Sequence, residues 1–106
     1  MNLLFICSRN RLRSPTAEHI FAHYAETRSA GTAKDAEIRV GLDDLEWANI
    51  VFVMEQRHVK QLRNLFPKFE SRVICLGIPD HYQYMQPELI AILEQKILPF
   101  LITAKS

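Results

Sequence analysis

The chain has 106 residues, 48% of them apolar, and a formal net charge of +1. That length supports one domain, residues 1–106, around one core, with no room for a second. The near-neutral balance gives no bulk attraction for nucleic acid or an anionic membrane surface, so neither is expected as a partner.

At the amino terminus Met1 meets the first strand without a basic leader or a longer apolar run, so neither a signal peptide nor a spanning helix is expected, and the cytoplasm is the default location. Leu3-Leu4-Phe5-Ile6 reads as a buried strand over residues 2–6. It delivers Cys7 to its carboxyl end. Residues 7–13, Cys7-Ser8-Arg9-Asn10-Arg11-Leu12-Arg13, then form a tight loop into a helix over about 15–27, which Ser14 can cap and Pro15 can begin.

A cysteine and an arginine five residues apart in this setting make a phosphate trap with a built-in nucleophile. Amides of the loop from Ser8 to Ser14, with the helix amino terminus, converge on one anion. The same amides and a nearby guanidinium lower a thiol from its ordinary pKa of ~8.5 toward thiolate at neutral pH. Arg13 closes the loop with a planar fork that matches two phosphate oxygens. Ser14 either donates its hydroxyl toward the thiolate or accepts an amide of the first turn; it cannot do both at once. Asn10 tolerates the left-handed backbone such a loop requires. Arg9 and Arg11 either point outward toward acidic substrates or pair with Asp43, Asp44 or Glu46.

The helix carries an apolar stripe of Ala17, Ile20, Phe21 and Tyr24, with His19, His23 and Glu26 opposite. His19 and His23 have the spacing of a metal pair, but nothing marks a closing ligand, so no metal is expected. A short strand near 27–30 is followed by a polar stretch from Thr32 to Arg39, a short helix around Leu42 to Ala48 and a strong strand from Ile50 to Met54. A helix from about Glu55 stops at Phe66 before Pro67, with Val59, Leu62 and Phe66 inward and Arg57, Lys60 and Arg63 outward. A strand covers Arg72 to Leu76. The last helix starts near Pro87, buries Leu89, Leu93 and Ile97, and is kinked or ended by Pro99. Alternating strands and helices give an α/β fold, a three-layer sandwich with helices on both faces of a parallel sheet. Its ligands bind beyond the strand carboxyl ends, where Cys7 and Asp80 fall.

Asp80 follows Gly77-Ile78-Pro79. It is either a turn former or the proton donor that an alkoxide or phenoxide leaving group needs, with His81 as substitute or assistant. Tyr82 and Tyr84 either wall the pocket or pack beneath the last helix. Trp47 is either a core or groove residue of its short helix or a pocket contact.

The stretch from Cys7 to Glu18, C-S-R-N-R-L-R-S-P-T-A-E, resembles the signature loop of the low-molecular-weight protein tyrosine phosphatases. Ser29-Ala30-Gly31-Thr32 is similar to that family's S-A-G-T segment, Ala48 to Glu55 to its third strand, and Pro79-Asp80-His81-Tyr82 to the loop carrying its general acid. Three departures stand out. Arg9 replaces the usual glycine, Leu12 replaces a second cysteine, and the acid is followed by His81 instead of proline. The chain is also some tens of residues shorter than the family norm.

The resemblance implies a four-stranded parallel sheet in the order 2-1-3-4. It further implies Cys7 as nucleophile, Arg13 as phosphate clamp and Asp80 as acid and then base, acting without metal or other cofactor on a phosphorylated protein or small aryl phosphate. In that sheet Cys7 and Cys75 stand on non-adjacent strands, roughly 9 to 10 Å apart and beyond the ~7 Å reach of a disulfide. Cys75 is therefore read as strand packing. Two other functions stay open at this point, a non-catalytic phosphate or phosphopeptide reader and, less favoured, an arsenate reductase.

Overall fold

Eight elements alternate along the chain in the computed structural model, which describes residues 1–105. They are β1 (Asn2–Cys7), α1 (Arg13–Phe21), β2 (Glu26–Gly31), α2 (Leu42–Trp47), β3 (Ile50–Val53), α3 (Gln56–Leu65), β4 (Arg72–Cys75) and α4 (Pro87–Lys105). All four strands are parallel, in the order β2-β1-β3-β4. This is the order the family resemblance implies.

The two-residue repeat of the strands divides the core in two. Leu3, Phe5 and Cys7 of β1, with Ile50 and Phe52 of β3, face a layer made by Ala17 and Phe21 of α1 and Leu89, Leu93, Ile97 and Leu101 of α4. Leu4 and Ile6, with Val51 and Val53, face the other way, onto Leu45 of α2 and Leu62 of α3. Each buried leucine or phenylalanine contributes on the order of 1.5–3 kcal/mol by leaving water. Both central strands, buried on both sides, are therefore almost uniformly apolar. Phe5 stacks on Phe21 and Phe52 at 5.9 and 5.6 Å between ring centres, joining β1 to α1 and β3.

Two helices differ from the sequence reading. The first ends at Phe21, not near residue 27, because the amide of Glu26 bonds to the carbonyl of Met1 and starts β2 in register with Asn2. Pairing along the sheet overrides local helix propensity there, and Tyr24, expected on the buried stripe, is exposed. The last helix continues past Pro99 to Lys105. Leu98, Phe100 and Leu101 on either side pack against the core, and their burial outweighs the amide that proline removes. No described helix is long and apolar enough to cross a membrane.

Candidate active site

Cys7, Gly31 and the segment following Val53 bring the carboxyl ends of β1, β2 and β3 to one edge of the sheet. Gly31 makes this edge possible. A Cβ there would lie 2.5 Å from the carbonyl oxygen of Ser8 and 3.0 Å from the amide nitrogen of Asn10, both backbone atoms. The segment after β2 then holds the loop from outside, as the amides of Thr32, Ala33 and Glu37 bond to the carbonyls of Cys7, Ser8 and Arg9. With those carbonyls turned outward, the amides of Arg9, Arg11 and Leu12 have no backbone acceptor among the described residues. Asn10 adopts φ 57°, and its amide points at Cys7 Sγ at 3.3 Å.

Ser14 does not cap α1. The helix begins at Arg13 with Leu12 at its amino boundary and no side-chain cap. The Ser14 hydroxyl instead lies 2.9 Å from Cys7 Sγ and donates to Asn10 Oδ1 at 3.0 Å. Having one proton, it accepts from the thiol while bonded to Asn10.

Arg13 is only 2% exposed, although it carries a permanent charge. Its Nη1 donates to Glu55 Oε2 and to the carbonyl of Ile78, both at 2.8 Å, and its Nε is 3.6 Å from Asp80 Oδ1. The chain reaches this point because Leu76 and Ile78 bond on to Val53 and Met54 beyond β4, with Gly77 between them at φ 67°. Burial on its own would raise the pKa of Glu55, but hydrogen bonds and positive charge from Arg13 and Arg57 outweigh it and hold the carboxyl below its usual value.

His58, fully buried in the first turn of α3, accepts the amide of Glu55 on Nδ1 at 3.1 Å. Its Nε2 is 2.9 Å from Ser8 Oγ. Burial first, then the charges of Arg13 and Arg57, lower its pKa to about 4, so the ring is neutral at physiological pH. A cavity of about 480 Å³ opens over these groups, lined by Cys7, Ser8, Arg9, Arg11, Leu12, Arg13, Arg57 and Asp80.

This scaffold is shared with solved structures. A low molecular weight phosphotyrosine phosphatase from Vibrio cholerae O395 superposes with a TM-score of 0.82 over 100% of this chain and 97% of its own, at 15% identity. The tyrosine phosphatase Wzb from Escherichia coli K30, in complex with phosphate, gives 0.77 over 96% of each chain at 19% identity. The fold is that of the low-molecular-weight protein tyrosine phosphatases. The YwlE arginine phosphatase from Geobacillus stearothermophilus also has it, with a TM-score of 0.75 over 98% of this chain and 94% of its own, at 18% identity. No protein-family model matches the sequence, and no curated protein does.

Within this phosphatase fold the loop residues and Asp80 gather at one cavity, but other expected positions lie elsewhere. Trp47 is not a pocket residue. Its carbonyl bonds to the side chain of Asn2, at the opposite end of β1 from Cys7, and Arg28 covers its ring at 4.2 Å. Tyr82 does not line the cavity; it packs against the core that α4 covers, and Tyr84 is exposed. Arg9 and Arg11 pair with Asp35 and Glu37, not with the acidic residues of α2, because the 32–37 segment runs beside the loop. His19 and His23 are exposed, and no metal-ligating cluster occurs among the described residues. Cys75 packs toward the α2/α3 layer and Cys7 toward the α1/α4 layer, with both thiols free.

Two residues of the site escaped the sequence reading, Glu55 and His58, which hold Arg13 and Ser8 without lining the cavity, while Arg57, read as part of an outward face, lines it. The available signal was the spacing Glu55-x-x-His58 directly after a buried strand. It places a polar residue in the third helical position, from which a side chain reaches back to the amide before the helix.

Proposed function

We propose that the protein is a cysteine-dependent phosphomonoester hydrolase acting through a cysteinyl-phosphate intermediate. The observation that carries this reading is Cys7 Sγ, in hydrogen-bond reach of both the Ser14 hydroxyl and the Asn10 amide, beside a buried Arg13 and below a cavity that Asp80 lines. The thiolate attacks phosphorus, forming the S–P bond as the ester P–O bond breaks. Asp80 gives its proton to the departing oxygen, while the loop amides and Arg13 hold the equatorial oxygens. Water then attacks phosphorus, Asp80 takes up its proton, and the S–P bond breaks to return thiolate and release orthophosphate.

Arg9, Arg11 and Arg57 line the cavity, each beside a carboxylate, Asp35, Glu37 and Glu55 in turn. Aryl phosphates, including phosphotyrosine in a protein, fit the reading. Arsenate reduction by a disulfide cascade is disfavoured, because the chain's other cysteine, Cys75, packs on the opposite face of the sheet. Two free thiols suit the cytoplasm.

The test is hydrolysis of para-nitrophenyl phosphate by the wild type and Cys7→Ser, with and without vanadate. Vanadate-sensitive turnover that vanishes in the serine variant is expected. Equal turnover in the two proteins would overturn the reading, and binding of vanadate without turnover would make this a phosphate-binding module.

A further inference from the structure

We infer that His58 is a positioning residue of the phosphate loop: it holds the Ser8 hydroxyl as an acceptor, so that the hydroxyl's own proton is directed to an oxyanion held over Cys7. The inference rests on the loop being an oxyanion site, as proposed above, but not on turnover.

The direction of the hydrogen bond follows from the tautomer. His58 Nδ1 accepts the amide of Glu55 at 3.1 Å, so in the neutral ring the proton resides on Nε2. That proton is donated to Ser8 Oγ, 2.9 Å away. Ser8 Oγ makes no other hydrogen bond among the described residues, and Ser8 lines the cavity beside Cys7 and Arg13. An anion in that cavity is then the natural acceptor for the Ser8 proton.

The arrangement is rigid. His58 is fully buried and stands where a capping box usually carries glutamate or glutamine, so the start of α3 fixes the ring. A carboxylate in that place would only accept, turning the Ser8 proton away from the cavity. Arg13, Arg57, Glu55 and Asp80 surround the ring, and the two guanidiniums, with burial, oppose its protonation. The position thus holds a neutral donor beside an anion site.

A double-mutant cycle on orthophosphate and vanadate affinity tests this. His58→Asn keeps a neutral acceptor near the Nδ1 position but cannot reach Ser8 as a donor. Ser8→Ala removes the hydroxyl and is expected to weaken anion binding on the order of tenfold, the value of one hydrogen bond to a charged group. His58→Asn in the wild-type background should weaken it several-fold, about half a decade or more. In the Ser8→Ala background the same change should add nothing, because the hydroxyl it orients is gone. A purely structural His58 would cost the same in both backgrounds, which overturns the inference, as does unchanged affinity in Ser8→Ala. Should His58→Asn fail to fold by thermal melting, His58→Ser, whose hydroxyl is too short to reach Ser8, takes its place in the cycle, and if neither folds, wild-type affinity in Ser8→Ala overturns the inference while a loss of about tenfold there supports the oriented hydroxyl. A wild type that binds neither anion overturns the inference together with the proposed function, whereas a wild type that binds without turnover overturns only the latter.

Discussion

Arg13 and Glu55, 42 positions apart in the chain, form a 2.8 Å ion pair in which the guanidinium is 2% exposed and the carboxylate 29%. The pair fixes Nη1, while the backbone carbonyl of Ile78 takes a second bond from the same nitrogen. Replacing Glu55 with Gln should cost about 1–2 kcal/mol at pH 7 and lower kcat/KM about tenfold through a mispositioned clamp. The pKa of Glu55 is lowered from 4.5 in the folded protein, so its stabilisation is complete above that value and fades as pH falls below it. Urea unfolding of both proteins at pH 7 and pH 3.5 should show the gap narrowing in acid. A gap that widens there would contradict the assignment.

His58 acts in a different pH window. Its folded pKa of about 4 lies below the ordinary 6.5, so between those values the unfolded chain binds a proton that the folded one refuses. Stability should therefore be greatest above pH 6.5 and decline toward pH 4, by on the order of 3 kcal/mol from this ring. In His58→Gln, which has no titrating group there, the urea midpoint should fall much less over the same range. Parallel pH profiles for the two proteins would mean that His58 is not held neutral by the fold.

The loop from Cys7 to Arg13 was legible because its chemistry is local: strand, turn and helix start follow one another within a dozen residues. The sheet order came with the family resemblance, and with it the central place of β1 and β3. Contacts between segments far apart were not legible. Glu55 and His58 reach Arg13 and Ser8 across 42 and 50 positions, by way of the β1–β3 pairing. Neither alternative for Arg9 and Arg11, outward toward substrate or paired with α2, names Asp35 and Glu37, because Thr32 to Arg39 has no periodicity to reveal that it runs along the loop. Trp47 and Tyr82 were placed by residue type, and aromatic type does not say which end of a strand or which side of a turn a ring covers.

Gly31 shows how tightly the loop depends on its neighbour strand. Both backbone atoms that a Cβ would meet at 2.5 and 3.0 Å belong to the phosphate loop, so the loop itself must move to accept one. Gly31→Ala should lower stability by about 1–3 kcal/mol, as overpacking does. It should also weaken vanadate binding more than tenfold, since displacing Ser8 and Asn10 disturbs the amides around Cys7. Thermal melting and vanadate titration of the same variant check both parts. Loss of stability with wild-type vanadate affinity would show that the loop keeps its shape by some other means.

Asp80 stands beside Arg13 at 3.6 Å and is 52% exposed, on a segment anchored on its far side by the Met85 amide, which donates to Thr16 Oγ1 at 3.0 Å. His81 stands where the family resemblance has proline, and its ring lies 4.7 Å from that of Tyr82, which packs against the core. As proton donor, Asp80 matters in proportion to the basicity of the oxygen that leaves. Asp80→Ala should reduce kcat/KM for phenyl phosphate by 10²- to 10⁴-fold, the usual range for a positioned general acid, and that for para-nitrophenyl phosphate by clearly less. The ratio of the two losses is the measurement. Equal losses on both substrates would remove the acid role from Asp80, and His81→Ala assayed on the same pair would then show whether the neighbouring imidazole carries it.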